Sequence, residues 1–221
     1  MMEEKKIHAY CFSGLGADFR IFRQLQIPGV ELHPITWEMP ADGDSMHDFA
    51  TKLSAQIQHE NPVLIGVSYG GMLVSELVDI INHRFAFVVS SCTSRKQIAP
   101  WLRAAGKMRL HELIPYHRFL QSDKFNRFIF DPKSRNEELY LKRLMLKEND
   151  IEFLRRSVRL IMQWERTISP DRIIHIHGSA DKLLPVSARH VHHVVKGGGH
   201  FMIWNKAKEI AQIMSRYLHQ S

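Results

Sequence analysis

The sequence lacks the features of a secreted or membrane-spanning protein. It has only two cysteines, Cys11 and Cys92, in 221 residues, which is too few for a disulfide framework. The chain starts MMEEKKIHAY and passes directly into a short strand-like run, so no secretion signal is evident. Charged residues, prolines or glycines interrupt every apolar run before the ~20 residues needed to cross a bilayer. We therefore expect a cytoplasmic protein that does not contact membranes.

Basic charge is concentrated in one segment. The chain carries 30 Lys+Arg and 23 Asp+Glu, a formal net charge of +7. Residues 93–168 contain 17 basic and 9 acidic residues, whereas the rest of the chain is close to neutral. No nucleic-acid recognition motif and no basic stripe interleaved with aromatic residues accompanies this excess. We therefore expect no nucleic-acid partner.

Strand and helix signals alternate along most of the chain. Short apolar runs predict strands at about residues 7–13, 30–37, 62–68, 85–91, 172–178 and 191–196. Helical patterns lie between them, at about residues 18–26, 45–59, 70–82 and 205–219. This alternation predicts an α/β fold of three layers, with a mostly parallel sheet of about six strands.

Residues 93–168 interrupt the alternation. They carry helical signals without strand signals, and one predicted helix has an apolar stripe formed by Ile151, Leu154, Val158 and Ile161. We interpret the segment as a helical insertion within a single domain that spans residues 1–221.

The segment GVSYGG, residues 66–71, matches the pattern G-x-S-x-G between an apolar strand and a helix. A serine hydroxyl becomes a good nucleophile only beside a base, and a sharp turn from strand to helix exposes it. Glycines permit such a turn, and the following helix directs backbone N–H groups towards a developing oxyanion. On this motif alone, an ordinary glycine-rich turn remains an alternative.

Two later segments supply the acid and the base that such a serine needs. The strand at 172–178 leads into HGSAD, which ends at Asp181, and the strand at 191–196 leads into GGGHF, which contains His200. Both residues follow strand carboxyl ends, where open α/β sheets place their ligand sites. We predict Ser68 as the nucleophile, His200 as its base and Asp181 as the residue that orients the base.

These motifs, together with SGLGAD at residues 13–18, resemble the nucleophile, acid, histidine and oxyanion loops of the α/β-hydrolase superfamily. The resemblance covers nearly the whole chain, starting from the third strand of that fold, and puts residues 93–168 where the family has its cap. It implies that the oxyanion donors are the backbone N–H of Tyr69 and one from the turn at Gly14 and Leu15. Ser13 departs from the histidine that many members have before this glycine.

The sheet order that the resemblance implies also bears on Cys11 and Cys92. It separates them by two strand spacings, about 9.6 Å, whereas a disulfide needs Cα atoms within ~7 Å. We therefore expect two free thiols.

The resemblance further implies an enzyme that cleaves a carboxylic ester or thioester of a small or medium acyl substrate through an acyl-enzyme, without a cofactor. Two alternatives remain open, namely a small-molecule-binding protein without catalysis and a carbon–carbon hydrolase or lyase with the same triad. The basic residues of the insertion either favour anionic substrates or coat its solvent face. Apolar residues of the insertion are expected to form the substrate pocket: Trp101, Leu113, Phe119, Phe125, Phe128 and Trp164.

The 14 histidines raise the question of a metal site. His175 lies two residues from His177, and His190 lies close to His192 and His193. Neither group is joined by carboxylates or cysteines at a spacing typical of zinc ligands. We therefore expect no bound metal ion, and the sequence leaves the oligomeric state open.

Overall fold

The computed structural model describes residues 6–98, 151–185 and 191–219, together with residues 100, 103, 104 and 127. In this part of the chain six strands form one sheet: β1 is Ile7–Phe12, β2 Val30–Pro34, β3 Val63–Val67, β4 Phe85–Val89, β5 Ile173–Gly178 and β6 His193–Val195. The strand order is β2-β1-β3-β4-β5-β6, and every neighbouring pair is parallel. The predicted six-stranded sheet is confirmed, although each strand is one to three residues shorter than its apolar run.

Five α-helices are described: α1 is Met46–Ser54, α2 Tyr69–Leu77, α3 Ile151–Gln163, α4 Met202–Asn205 and α5 Ala207–His219. The helix predicted at 18–26 is wrong, because only a 3-10 turn over Phe19–Phe22 forms before the chain turns at Gly29 into β2. The helix predicted at 205–219 is divided between α4 and α5. No helix among the described residues combines the length and apolar character needed to cross a membrane.

Alternation of side chains along the strands builds two separate core layers. On β1, Ala9 and Cys11 face the layer that contains α4, α5 and the 3-10 helix, whereas Tyr10 and Phe12 face α1, α2 and α3. Every residue of β3 is buried, as expected for a strand covered on both sides. The sheet therefore lies between two helical layers, with its carboxyl edge free to carry side chains.

The buried face of α3 differs from the predicted stripe. Leu154 is buried as predicted, but Ile151 is exposed. The helix also buries Phe153, Ser157 and Leu160, of which Phe153 and Leu160 belong to the second core layer. Phe153, Ser157 and Leu160 are also spaced three or four apart, but the buried serine hides this face from a search for apolar residues.

The two ends of segment 93–168 lie side by side. The backbone N–H of Arg95 donates to the carbonyl of Arg166 over 2.8 Å, and the Thr93 hydroxyl donates to the Ser169 hydroxyl over 2.8 Å. The chain therefore leaves and re-enters the sheet layers at one place. The helical cap itself stays a prediction, because most of its residues lie outside those that the structure describes.

Candidate active site

Ser68 occupies the tight turn between β3 and α2. Its φ of 52° lies in the left-handed region, which a non-glycine residue rarely adopts. Two backbone hydrogen bonds hold the turn, from Ser68 N–H to the Val89 carbonyl and from Gly70 N–H to the Ser13 carbonyl, each 3.0 Å long. A Cβ at Gly70 would lie only 2.2 Å from the Phe12 carbonyl oxygen, so only glycine fits there. This strained turn lifts the Ser68 hydroxyl above the carboxyl edge of the sheet.

His200 brings its imidazole between Ser68 and Asp181. It lies in the turn between β6 and α4, and its side chain is only 8% exposed. The Nε2 atom is 2.9 Å from Ser68 Oγ, and the Nδ1 atom is 2.9 Å from Asp181 Oδ2. Three residues far apart in sequence thus form an unbroken series of hydrogen bonds.

Asp181 has a fully buried side chain whose two oxygens each have defined partners. Oδ1 accepts the backbone N–H groups of Leu183 and Leu184 at 3.0 and 2.9 Å. Oδ2 accepts the Nδ1–H of His200 and lies 3.4 Å from His177 Nε2. Burial alone raises the pKa of Asp181, but the hydrogen bond and charge of His200, then Leu184 and His177, lower it below its usual value. An ionised Asp181 keeps the proton on Nδ1 of His200, so Nε2 is free to accept from Ser68.

The loops that carry Asp181 and His200 are packed directly on each other. A Cβ at Gly178 would lie 2.1 Å from the carbonyl oxygen of Gly198, a distance that no side chain tolerates. The backbone N–H of Ala180 also donates to that carbonyl, at 2.9 Å. The separation of Asp181 and His200 is therefore set by contact between two backbones.

The predicted oxyanion donors lie beside Ser68. Tyr69 is the first residue of α2, and its backbone N–H donates to no acceptor among the residues described. The same is true of the N–H of Leu15 within the described ranges. A Cβ built on Gly14 would lie 3.5 Å from Cβ of Ser68, so this turn adjoins Ser68. Their role as oxyanion donors stays a prediction.

The predicted substrate pocket is mostly outside the described residues, and this applies to Trp101, Leu113, Phe119, Phe125 and Phe128. Trp164 is described and is only 2% exposed, in the core layer beside α2. Its indole N–H donates to Glu76 Oε1 over 2.7 Å. Contact between Trp164 and substrate stays a prediction, and this burial disfavours it.

Two residues at the site were not predicted from sequence. The Ser91 hydroxyl donates to the carbonyl of Ser68 over 2.5 Å and supports the strained turn. His177 on β5 has its Nε2 2.8 Å from the Leu184 carbonyl, so it ties down the loop that holds Asp181. Burial lowers the pKa of His177, so it is a neutral donor at neutral pH. His177 is the first residue of HGSAD, and this position beside the predicted acid was the available signal.

Comparison with known families agrees with this architecture. The sequence model of the alpha/beta hydrolase family matches residues 4–213. The chain belongs to the α/β-hydrolase family. The match covers nearly all of its length and includes the four motifs of this α/β-hydrolase described above. No curated protein matches the chain.

Solved structures with the same fold include esterases of low sequence identity. An esterase from Thermogutta terrifontis superposes with a TM-score of 0.75 at 11% identity, covering 98% of this hydrolase and 90% of that chain. An esterase from Exiguobacterium antarcticum gives 0.67 at 13% identity, covering 97% and 92%. A bromoperoxidase from Bacillus anthracis gives 0.69 at 16% identity, covering 96% and 92%. At such identities these likenesses establish the fold alone.

Proposed function

We propose that this α/β-hydrolase cleaves carboxylic esters or thioesters of small or medium acyl groups through a covalent acyl-enzyme. The observation that carries the proposal is the series of two 2.9 Å hydrogen bonds from Ser68 through His200 to the buried carboxylate of Asp181. Nucleophile, base and orienting acid are within the reach that proton transfer requires. The esterases among the structural neighbours support ester chemistry on this fold.

The reaction proceeds in two halves. Ser68 Oγ attacks the acyl carbon while His200 Nε2 takes its proton, and Asp181 stabilises the imidazolium that forms. The backbone N–H of Tyr69 and one from Gly14 or Leu15 stabilise the oxyanion. His200 then protonates the leaving alcohol or thiol. In the second half His200 deprotonates a water that attacks the acyl-enzyme, and it returns the proton to Ser68 as the acid leaves.

Replacement of the nucleophile tests the proposal. Ser68→Ala should lower kcat by about 10⁶, as loss of a triad serine does, while circular dichroism and Tm stay unchanged. The assay is a series of p-nitrophenyl esters of increasing chain length, run beside acyl-CoA thioesters, and the preferred series identifies the bond cleaved. Ser54→Ala, at the end of α1, is the matched control and should retain full activity.

Covalent labelling separates catalysis from simple binding. A fluorophosphonate should add one adduct to the wild-type protein and to Ser54→Ala, but none to Ser68→Ala, as measured by intact mass. Near wild-type turnover by Ser68→Ala would refute the assignment. Absence of both labelling and turnover in the wild-type protein would instead make it a binding protein on a hydrolase fold.

A further inference from the structure

Three histidines from separate elements meet on one face of the sheet, away from Ser68. In β1, His8 and Tyr10 share a face, because side chains alternate along a strand. The parallel register pairs Tyr10 with His33 of β2, so His33 lies on that face, diagonal to His8. His59, in the loop between α1 and β3, covers the same face. The histidine cluster is the name used below for His8, His33 and His59.

The three imidazoles are close enough to share one ligand. His8 Nδ1 is 2.9 Å from His33 Nε2, and one ring nitrogen of each histidine lies within 4.8 Å of the other two. The His59 ring stacks on His8 with centroids 3.6 Å apart and lies 4.9 Å from His33. All three side chains are partly exposed, so an ion from solvent can reach them.

We propose that the histidine cluster binds one divalent transition-metal ion, such as Zn²⁺. Imidazole nitrogen suits zinc, copper and nickel, and three histidines with an open fourth position form a known type of zinc site. Two nitrogens on a tetrahedral ion, with bonds of ~2.0–2.1 Å, lie about 3.3 Å apart. The 2.9 Å contact of His8 and His33 therefore needs to widen only slightly when a metal ion replaces the shared proton.

His59 completes the site by rotation of its ring. Stacked parallel rings direct their lone pairs side by side, so His59 must turn away from His8 to coordinate the same ion. Tyr10 contacts the Nδ1 atom of His59. Its hydroxyl oxygen is 2.7 Å from that atom and accepts the backbone N–H of Gln58 at 2.9 Å. If Nδ1 of His59 donates to Tyr10, Nε2 is left without a proton and is free for the metal ion.

The surroundings of His33 favour its neutral form. Burial lowers the pKa of His33, and the neighbouring charges of His59 and His8 lower it further, against the opposing effect of Glu31. Glu31 faces His8 in the register and contributes a negative charge, although it also pairs with Lys6 at 3.4 Å.

Calorimetric titration with Zn²⁺ tests this site, on untagged protein first dialysed against EDTA. The wild-type protein should bind one ion with an affinity above that of its scattered surface histidines. His33→Ala should abolish this binding of Zn²⁺. Tyr10→Phe, which removes only the hydroxyl, should weaken it by about 10–100-fold, the effect typical of an outer partner. His47→Ala, which removes an exposed histidine of α1, is the matched control and should leave it unchanged.

The outcomes decide between a built site and surface binding. Equal Zn²⁺ affinity in the wild-type protein and in His33→Ala, or an equal loss in His47→Ala, overturns the proposal. If circular dichroism shows that His33→Ala does not fold, His59→Gln replaces it, because His59 lies in a loop. Wild-type Zn²⁺ affinity in His59→Gln would equally overturn the proposal. With Cu²⁺, electron paramagnetic resonance should show nitrogen hyperfine coupling that His59→Gln reduces.

Discussion

At the scale of single residues, the two oxygens of Asp181 perform different tasks. Oδ1 is held by two backbone N–H groups, so the carboxylate is fixed before His200 contacts Oδ2. The lowered pKa of Asp181 means that the group is ionised at neutral pH. Its contribution to stability is complete above the unfolded-state pKa and is lost as the pH falls through the folded-state value.

Asp181→Asn should lower kcat by about 10⁴ without unfolding the protein. An amide at this position favours the wrong tautomer of His200, in which Nε2 carries the proton and cannot accept one from Ser68. The measurement is kcat at neutral pH on the best p-nitrophenyl ester, with thermal unfolding to confirm the fold. Asp171→Asn, at an exposed position before β5, is the control and should be active. A loss below tenfold would mean that another carboxylate orients His200.

The two cysteines form no disulfide, as expected from the sheet order. Cys11 and Cys92 are free and buried, in agreement with the separation inferred from the sheet order. Burial raises the pKa of the Cys92 thiol to about 12, so it is protonated and unreactive at neutral pH.

At the scale of elements, Glu76 joins α2 to the segment that follows α3. Its carboxylate accepts the indole N–H of Trp164 at 2.7 Å and Nε–H of Arg166 at 3.2 Å, and its side chain is only 9% exposed. Arg166 also pairs with Asp79 on the exposed side of the same region. The end of the insertion is thus fixed to α2, the helix that follows Ser68.

Glu76→Ala should lower the free energy of unfolding by about 3 kcal/mol, because it leaves a buried indole N–H and a guanidinium without their acceptor. Urea denaturation measures this loss. Asp79→Ala is the matched control, since Asp79 is an exposed partner of the same arginine and should contribute less than ~1 kcal/mol. An equal effect of the two substitutions would contradict the inferred role of Glu76. The folded fraction of both variants should keep its kcat, because neither residue contacts Ser68.

Elements with one dominant local signal were predicted from sequence, and others were not. Apolar runs predicted all six strands, and the runs of β3 and β4 are nearly continuous because these strands are covered on both faces. The motif around Ser68 predicted the turn at the end of β3. The 3-10 helix at Phe19–Phe22 was predicted as an α-helix because both share an apolar pattern over a single turn.

Side chains that meet only in the folded protein were outside the reach of sequence patterns. The absence of a metal site was expected because no short segment has zinc-ligand spacing. His59 approaches His8 and His33 only through the packing of a loop on the sheet, which no spacing along the chain reveals. Likewise the indole N–H of the buried Trp164 donates to Glu76, which lies 88 residues away in sequence.

At the scale of the whole molecule, the charge of segment 93–168 offers a prediction about substrate choice. If its excess of basic residues faces the site, kcat/KM should be higher for an ester with an anionic group than for a neutral ester of the same acyl group. This preference should decline at 1 M salt, where the screening length is ~3 Å. Steady-state kinetics at low and high salt measure both effects. Equal kcat/KM for the two esters at low salt would place the charge on the solvent face.

The contact of Gly178 with Gly198 has a consequence for how this enzyme tolerates change. In a library that samples every substitution, position 178 should be depleted as strongly as position 200, although Gly178 has no side chain to offer to the reaction. Even alanine would push the two loops apart and lengthen the step from His200 to Asp181. A redesign that transfers Asp181 and His200 in this arrangement to another scaffold must therefore carry both glycines with them.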